Sequence, residues 1–510
     1  ERGAGPKPAL VAAREAGASS SPSGAAKAPE SRAPAKSPAP TAQTGVSSLQ
    51  PETLEGGLTG PPDVLEGLSL GSSEEENPSG LFAAIGVPHG LTNLEMATPA
   101  LPGRTGPLIV DGEGAAPNTF STLKAACATA ASGDVIELRY NGRREESPIE
   151  LPGLKITIRA GDGYQPLVAF QPKPTDIDPL RYPRSMFTLS GSRLTMINVA
   201  VELSVPRDLP ADSWSLFEIG QAETVRLERC WLTIFNASSG RAAYHSDVAF
   251  LRLKANPAVA TVLGDQARLA RHVTVALVDC VARGEATLFQ SEMMQSAEVS
   301  WKNGLLATTE WFLVANGGEE SPQPSEAIQV DLEHLTAAVG RGLCQLNQGE
   351  FAPYQLPVEI RCADSILVGS GAAALVEQNG VGDVAGAQQR VSWDGYRNFY
   401  EGFTVFWAIS PLNPSQRSEQ MPFAAWESHW TPDREILPLR NLVGWKQLPA
   451  ADKPVSAHTA ADYTLDHSDQ ENPPLRWPTD GSAAGLAPER LPPAPPPVLS
   501  ESPPGAVKPN

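Results

Sequence analysis

The sequence predicts an all-β protein wound as a right-handed parallel β-helix. This is a solenoid with an N-terminal capping helix, a small Trp-rich C-terminal cap and disordered Pro/Ala-rich tails. Three observations predict it. The middle of the chain repeats itself at intervals of about 24 to 31 residues. Each repeat holds an alternating strand, a polar kink and a second short apolar strand, with no helix. A lone strand, "DVIELRY", follows a short alanine-rich helical stretch and has no hairpin partner in sequence.

The first 105 of the 510 residues are rich in Ala, Pro, Ser and Gly. Such a composition cannot bury enough apolar surface to offset the entropy of ordering, so 1–105 reads as a disordered linker. Its second half is acidic, with eight Asp and Glu and no Lys or Arg between 51 and 100. Residues 466–510 are again Pro-rich ("RLPPAPPPVLSESPPG") and read as a second disordered tail. The folded region is then 106–410 for the β-helix and 411–465 for the cap. The chain starts at Glu1 without a signal-peptide pattern. The expectation is a fragment or processed form, with any membrane tether upstream. No stretch reaches the ~18 apolar residues that a membrane span needs, and "GLFAAIGVP" (80–88) is too short.

In "NTFSTLKAACATAASGD" (118–134), Phe120, Leu123, Cys127 and Ala130 fall on one helical stripe. Ser121 or Thr119 would cap its start and Gly133 its end. So narrow a stripe must lie on something larger, and the open first coil of a solenoid is the natural target, because an unpaired sheet end invites aggregation.

The coils follow. Met196, Leu227, Leu277, Trp301, Leu332, Cys362 and Trp393 align as one interior column, with gaps of 31, 50, 24, 31, 30 and 31 residues. The gap of 50 is either one coil with a long insertion or two short coils. A second column, three residues on, holds Val199, Cys230, Cys280, Gly304, Leu335, Ser365 and Tyr396. Stacking neighbours bury a face that one coil cannot bury alone. The leucine-rich-repeat signature is absent. The frequent short turns of a β-sandwich are absent too.

The entry segment "TFSTLKAACATAASGDVIEL" resembles that of pectin-lyase-like β-helix proteins. The run "SGDVIELRYNGRREESPIELPGLKITIRAGDGYQPLVAF" (132–170) is similar to the β-helix region found C-terminal to the kinase domain in some planctomycete serine/threonine protein kinases. The resemblance implies a β-helix over roughly 106–465 and an association with a kinase. The chain itself carries no Gly-rich phosphate loop, no "HRD" and no "DFG".

Two residues after the first column stand Asn198, Arg229, Asp279, Asn303, His334, Asp364 and Gly395. They form either a ladder of left-handed kinks or a row of sugar- or metal-binding groups. Asp279 and Asp364 are three coils and roughly 14 Å apart. A glycosidase pair needs about 5 to 9.5 Å. His334 and Asp364 lie on neighbouring coils and enter as candidate binding residues. No acidic trio of the kind that holds Ca²⁺ in β-helix lyases emerges, and no Cys-x-x-Cys suggests zinc. No metal or cofactor is therefore expected. Cys230 and Cys280 share a column, either as stacked thiols or as a disulfide. "PFAAWESHW" starts a helix after Pro422 that reads as a cap on the far end or as an aromatic platform.

The net charge of −19 argues against nucleic acid as a partner. Binding is expected at the long insertions 204–215, 254–272 and 317–327. Trp214 would offer a stacking face, while Arg268 and Arg271 with His272 would form a basic tip suited to an anionic polysaccharide or cell-envelope component. Three functions compete: a non-catalytic binding or sensing module attached to a kinase, a polysaccharide lyase or hydrolase, and a structural spacer.

Overall fold

The computed structural model describes residues 106–495, apart from 173–181, 208–212, 221–222, 238–242, 255–271, 431–433 and 477–480. The sequence expectation for 1–105, and that for the tail beyond 495, lie outside the described residues.

The chain winds as a right-handed parallel β-helix of three faces, here called A, B and C. The first coil runs Val135–Leu138 on face A, Gly142–Glu145 on B and Ile149–Pro152 on C. The ninth runs Val391–Tyr396, Phe399–Glu401 and Val405–Pro411. In coils five to seven, A and B merge into twelve-residue strands, Val273–Gly284, Ala297–Thr308 and Ile328–Val339. Pairing between successive coils is parallel throughout.

The interior column is Ile136, Ile158, Met196, Leu227, Leu277, Trp301, Leu332, Cys362 and Gly395. Leu227 pairs directly with Leu277, so the gap of 50 is one coil carrying a long insertion. The last member departs from expectation: Trp393 pairs with Ile360, and Gly395 takes the column two residues later. The reason lies in the next turn of chain. Glu435 pushes its carboxyl into that layer, and a Cβ on residue 395 would overlap it. A column read from apolar character cannot find a glycine whose space another element fills.

The kink between faces A and B is left-handed in every coil from the third onward. Asn198, Arg229, Asp279, Asn303, His334, Asp364 and Arg397 have φ between 49° and 56°. Arg397 replaces the expected Gly395 through the same two-residue slip. Asn and Asp tolerate this conformation because their short polar side chains bond locally; Arg and His do not favour it, and here surrounding contacts hold them.

Both ends are closed. At the start, Thr122 rather than Ser121 or Thr119 caps the helix Leu123–Thr129, accepting a bond from Ala125 N at 3.1 Å. Glu146 of the first coil accepts from Leu123 N at 2.7 Å, and Leu123, Ala126 and Cys127 are buried against the coil. The helix ends at Ala130, ahead of Gly133. At the far end, strand Glu419–Met421 pairs antiparallel with the last face-C strand. Helix Phe423–Trp430 then lays Trp426 and Trp430 on Trp407, both with centroids 5.9 Å away. A half-coil, Glu435–Ile436 and Leu439–Arg440, completes this end. Trp301 and Trp393 are interior, as their column position implied.

From residue 441 the chain does not stay at that end. It folds back along face B, where the outward row Ala200, Trp231, Val281, Leu305, Thr336, Ile366 and Phe399 is mostly apolar. Val455–Ala457, Tyr463, Leu465, Ala484 and Leu491 cover it. Residues 466–476 and 481–495 therefore have defined places on the β-helix, contrary to the disordered tail expected from composition. Composition measures what a segment can bury alone, and this one borrows a surface.

The five cysteines are buried and free; Cys230 N lies 3.4 Å from Cys280 Sγ, so the pair is a stack of thiols.

Candidate functional site: a polar strip on face C

Face C carries two outward rows at one residue's alternation. The first is Thr188, Glu218, Arg252, Gln290, Val314, Gln345, Glu377 and Ala408. The second ends the strands with Asn316, Asn347, Asn379 and Ser410. These asparagines form a ladder. Asn347 Nδ2 donates to Asn316 Oδ1 at 3.1 Å and Asn379 Nδ2 to Asn347 Oδ1 at 3.3 Å. Across the rows, Glu377 Oε1 accepts from Asn379 at 2.7 Å and from Gln345 at 3.3 Å. Each amide uses part of its capacity on its neighbour. An amide offers two N–H donors and an acceptor oxygen, so capacity remains for a ligand.

Aromatic surface stands beside the ladder. Residues 348–356 leave face C directly after Asn347, and main-chain bonds between Gly318 and Tyr354 pin the loop. A Cβ at Gly317 would come within 2.7 Å of the Tyr354 and Ala352 carbonyl oxygens, so glycine lets the loop lie this close. The result is Phe351 with 82% of its surface exposed and Tyr354 with 37%. A cavity of about 140 Å³ opens between this loop and the helix Val384–Gln388, lined by Gln348, Pro353, Gly380, Arg390 and Leu412.

At the other end of the strip, Arg252 is buried with two carboxylates on its guanidinium: Asp247 at 2.7 Å and Glu292 at 2.5 Å. Asp247 also accepts from Ser213 at 2.7 Å and from Gln290 at 2.8 Å. Burial pushes its carboxyl up, but Arg252, Ser213 and Gln290 outweigh burial and hold it below the usual carboxylate range. This group is an ionised anchor saturated with donors, unsuited to delivering a proton.

A second cavity, of about 280 Å³, lies where face B turns into face C, lined by Glu285, Thr309, Pro449, Lys453, Val455 and His458. Its charged groups are engaged with one another. Lys453 Nζ sits 2.6 Å from both Asp462 oxygens, and His458 Nδ1 is 2.9 Å from the Tyr463 hydroxyl. Burial raises Glu285 and lowers His458, which favours the neutral form of each. These are the marks of a packed joint between the returning chain and the β-helix.

The residues singled out in the sequence fall elsewhere. Trp214 is not on a loop: it begins the strand Trp214–Ile219 and is fully buried, with Arg184 stacked 4.7 Å from its ring centroid. Arg268 and Arg271 lie outside the described residues. His334 and Asp364 occupy the left-handed ladder and are buried beneath the returning chain. His334 Nδ1 contacts Ala483 O at 3.2 Å, and Asp364 pairs with Arg397. The strip on face C, by contrast, had a signal in the sequence: "LVAN", "CQLN" and "VEQN" end in Asn316, Asn347 and Asn379, at spacings of 31 and 32 residues. Among the described residues no three His, Cys, Asp or Glu side chains converge in a way that could hold a metal ion. No described helix is long and apolar enough to cross a membrane.

No protein-family model matches this chain, and no curated protein matches it. Among solved structures, a pectin methyl esterase from the rice weevil aligns at 10% identity and a TM-score of 0.31, covering 63% of this chain and 86% of that one. At that level the likeness says nothing about chemistry.

Proposed function

We propose that this chain is a non-catalytic binding module that reads an extended, uncharged polysaccharide along face C. The observation that carries the reading is the ladder Asn316–Asn347–Asn379 beside exposed Phe351 and Tyr354. Sugar hydroxyls both donate and accept, as amides do, and aromatic faces take the C–H faces of sugar rings. Coils rise by about 4.8 Å. That is close to the length of one sugar unit, so successive rungs meet successive rings.

Charge selects the polymer. The strip presents Glu377 and Glu292 in a chain of net charge −19, and its guanidinium, Arg252, is already shared by two carboxylates. An anionic polymer, the ligand suggested by Arg268 and Arg271, would be repelled by this surface. Affinity electrophoresis of the full chain through gels containing neutral or uronic-acid polysaccharides tests this. Retardation by neutral polymers supports the reading, and retardation by acidic ones alone refutes it.

The similarity of 132–170 to kinase-associated β-helices supports a further part of the proposal: the module serves as the sensing part of a longer serine/threonine kinase. A reading frame upstream of Glu1 without kinase motifs would remove it. Polysaccharide cleavage is the second reading, and the paired carboxylates on Arg252 favour it. It requires that Glu292→Gln abolish release of reducing or unsaturated ends from a bound polymer.

A further inference from the structure

The edge between faces A and B has the chemistry of a peptide-binding groove, and the returning chain shows what the groove reads. One wall is the left-handed ladder. The other is the outward row of face B. Residues 481–492 lie between them, running against the order of the coils.

Most of the polar contacts go to the main chain of that segment. Arg397 Nη2 reaches Ser482 O at 3.4 Å, and His334 Nδ1 contacts Ala483 O at 3.2 Å. Gly485 N donates to Asp364 O at 2.7 Å, and Leu486 N to Thr336 Oγ1 at 3.0 Å. Asn303 grips Ala487 on both sides, accepting from its N at 2.7 Å and donating to its O at 3.4 Å. Arg229 Nη1 donates to Arg490 O at 2.9 Å, and Trp231 Nε1 to Pro492 O at 3.1 Å. An indole N–H on a carbonyl within a proline-rich stretch is a recurrent way of holding extended, low-entropy peptides.

Side chains of the segment are read at four places. Residue 485 has φ +79°, and a Cβ there would sit 2.7 Å from Ile366 Cδ1 and 2.8 Å from Thr336 Oγ1, so only glycine fits. Ala484 is wholly buried against Ile366 and Phe399. Leu491 enters the cluster of Trp231, Val281 and Leu305. Arg490 pairs with Asp279 at 3.1 Å.

We propose that this groove is a recognition site for extended proline-rich peptides presented in trans, with a small residue and glycine in sequence and Arg-Leu-Pro five residues after the glycine. The chain's own residues 481–492 hold the site in cis and compete with the partner. Main-chain reading makes the interaction transferable: a second peptide of the same pattern can make every contact that the tethered one makes.

The experiment uses the full chain and a fluorescent synthetic peptide of residues 481–495. In the variant Gly485→Val/Leu491→Asp, whose own segment is ejected, peptide binding should tighten at least tenfold over the unaltered chain. Adding Asn303→Ala or Thr336→Val should weaken it again at least tenfold. Trypsin cleavage after Arg490 reports ejection, and circular dichroism reports an intact β-helix. A second arm needs no ejection: the unaltered chain, held for days with excess biotinylated peptide, should slowly take it up, and a Gly485→Val peptide should not enter. Ejection without peptide binding, binding indifferent to Asn303 and Thr336, or uptake of both peptides alike would overturn the proposal.

Discussion

Two polar ladders run the length of this β-helix and meet opposite fates. The left-handed ladder between faces A and B is buried under residues 481–492, and its groups are bonded across to that segment. The Asn ladder on face C is half-exposed, and its amides bond chiefly along the ladder. The same period produces both, so periodic polarity alone does not mark a binding surface. What separates them is the neighbouring row. Face B is apolar on its outside and must be covered. Around the Asn ladder the second row carries Gln345 and Glu377, which water can serve.

The largest effect that distinguishes the regions concerns Arg397. Its guanidinium is buried against Asp364 and donates to Arg476 O at 2.7 Å. Arg397→Ala strands a buried carboxylate and should cost about 3 to 5 kcal/mol in urea unfolding. The exposed pair Lys302–Glu333, 3.0 Å apart, is the control. Lys302→Ala should cost no more than about 1 kcal/mol. Equal costs would mean that the covered ladder is not sealed.

The two regions should also respond to pH with opposite sign. Burial between Trp393 and Trp426 pushes Glu435 from its ordinary 4.5 up to about 7, despite a bond from the Tyr400 hydroxyl at 3.1 Å. Between those values the unfolded chain binds fewer protons than the folded one. Stability therefore falls as pH rises from 4.5 through about 7, by about 3 kcal/mol. Glu435→Gln should flatten that slope. Asp247 on face C is held low, so its contribution is present above 3.8 and is lost as pH falls through its lowered folded value. Denaturation midpoints across pH 3 to 8 for Glu435→Gln and Asp247→Asn separate the two. A slope unchanged in Glu435→Gln would contradict the assignment.

Gly485→Val should have a smaller effect, about 1 to 3 kcal/mol of backbone strain and clash, felt only by the returning chain. Faster trypsin cleavage after Arg490 with an unchanged β-helix spectrum is the expected result. Smallest in stability is Phe351→Ala, within about 0.5 kcal/mol because the ring is mostly exposed. Glycan binding should nonetheless drop sharply. A destabilised but still binding Phe351→Ala protein would place the ring in the fold and not in the site.

Much of the fold was legible because interior positions are constrained alike in every coil. From Met196 to Cys362 the column reads off the sequence in the register the structure shows. Legibility stopped where one element fills another's space. Gly395 is in the column only because Glu435 occupies its layer. Residues 481–495 are ordered only because face B lends them a surface. Trp214 follows a Pro-rich stretch and reads as loop, yet it opens a buried strand. The Asn ladder was visible but lay outside the columns that apolar character selects, since its side chains face outward.

Hydrogen–deuterium exchange of the full chain, with and without a neutral polysaccharide that it retains, tests the central claim most directly. The account predicts new protection at 311–316, 342–356 and 374–381, around the Asn ladder and the Phe351 loop, and unchanged exchange at 328–339, 358–366 and 481–492. Protection confined to the covered ladder, with face C unchanged, would contradict it.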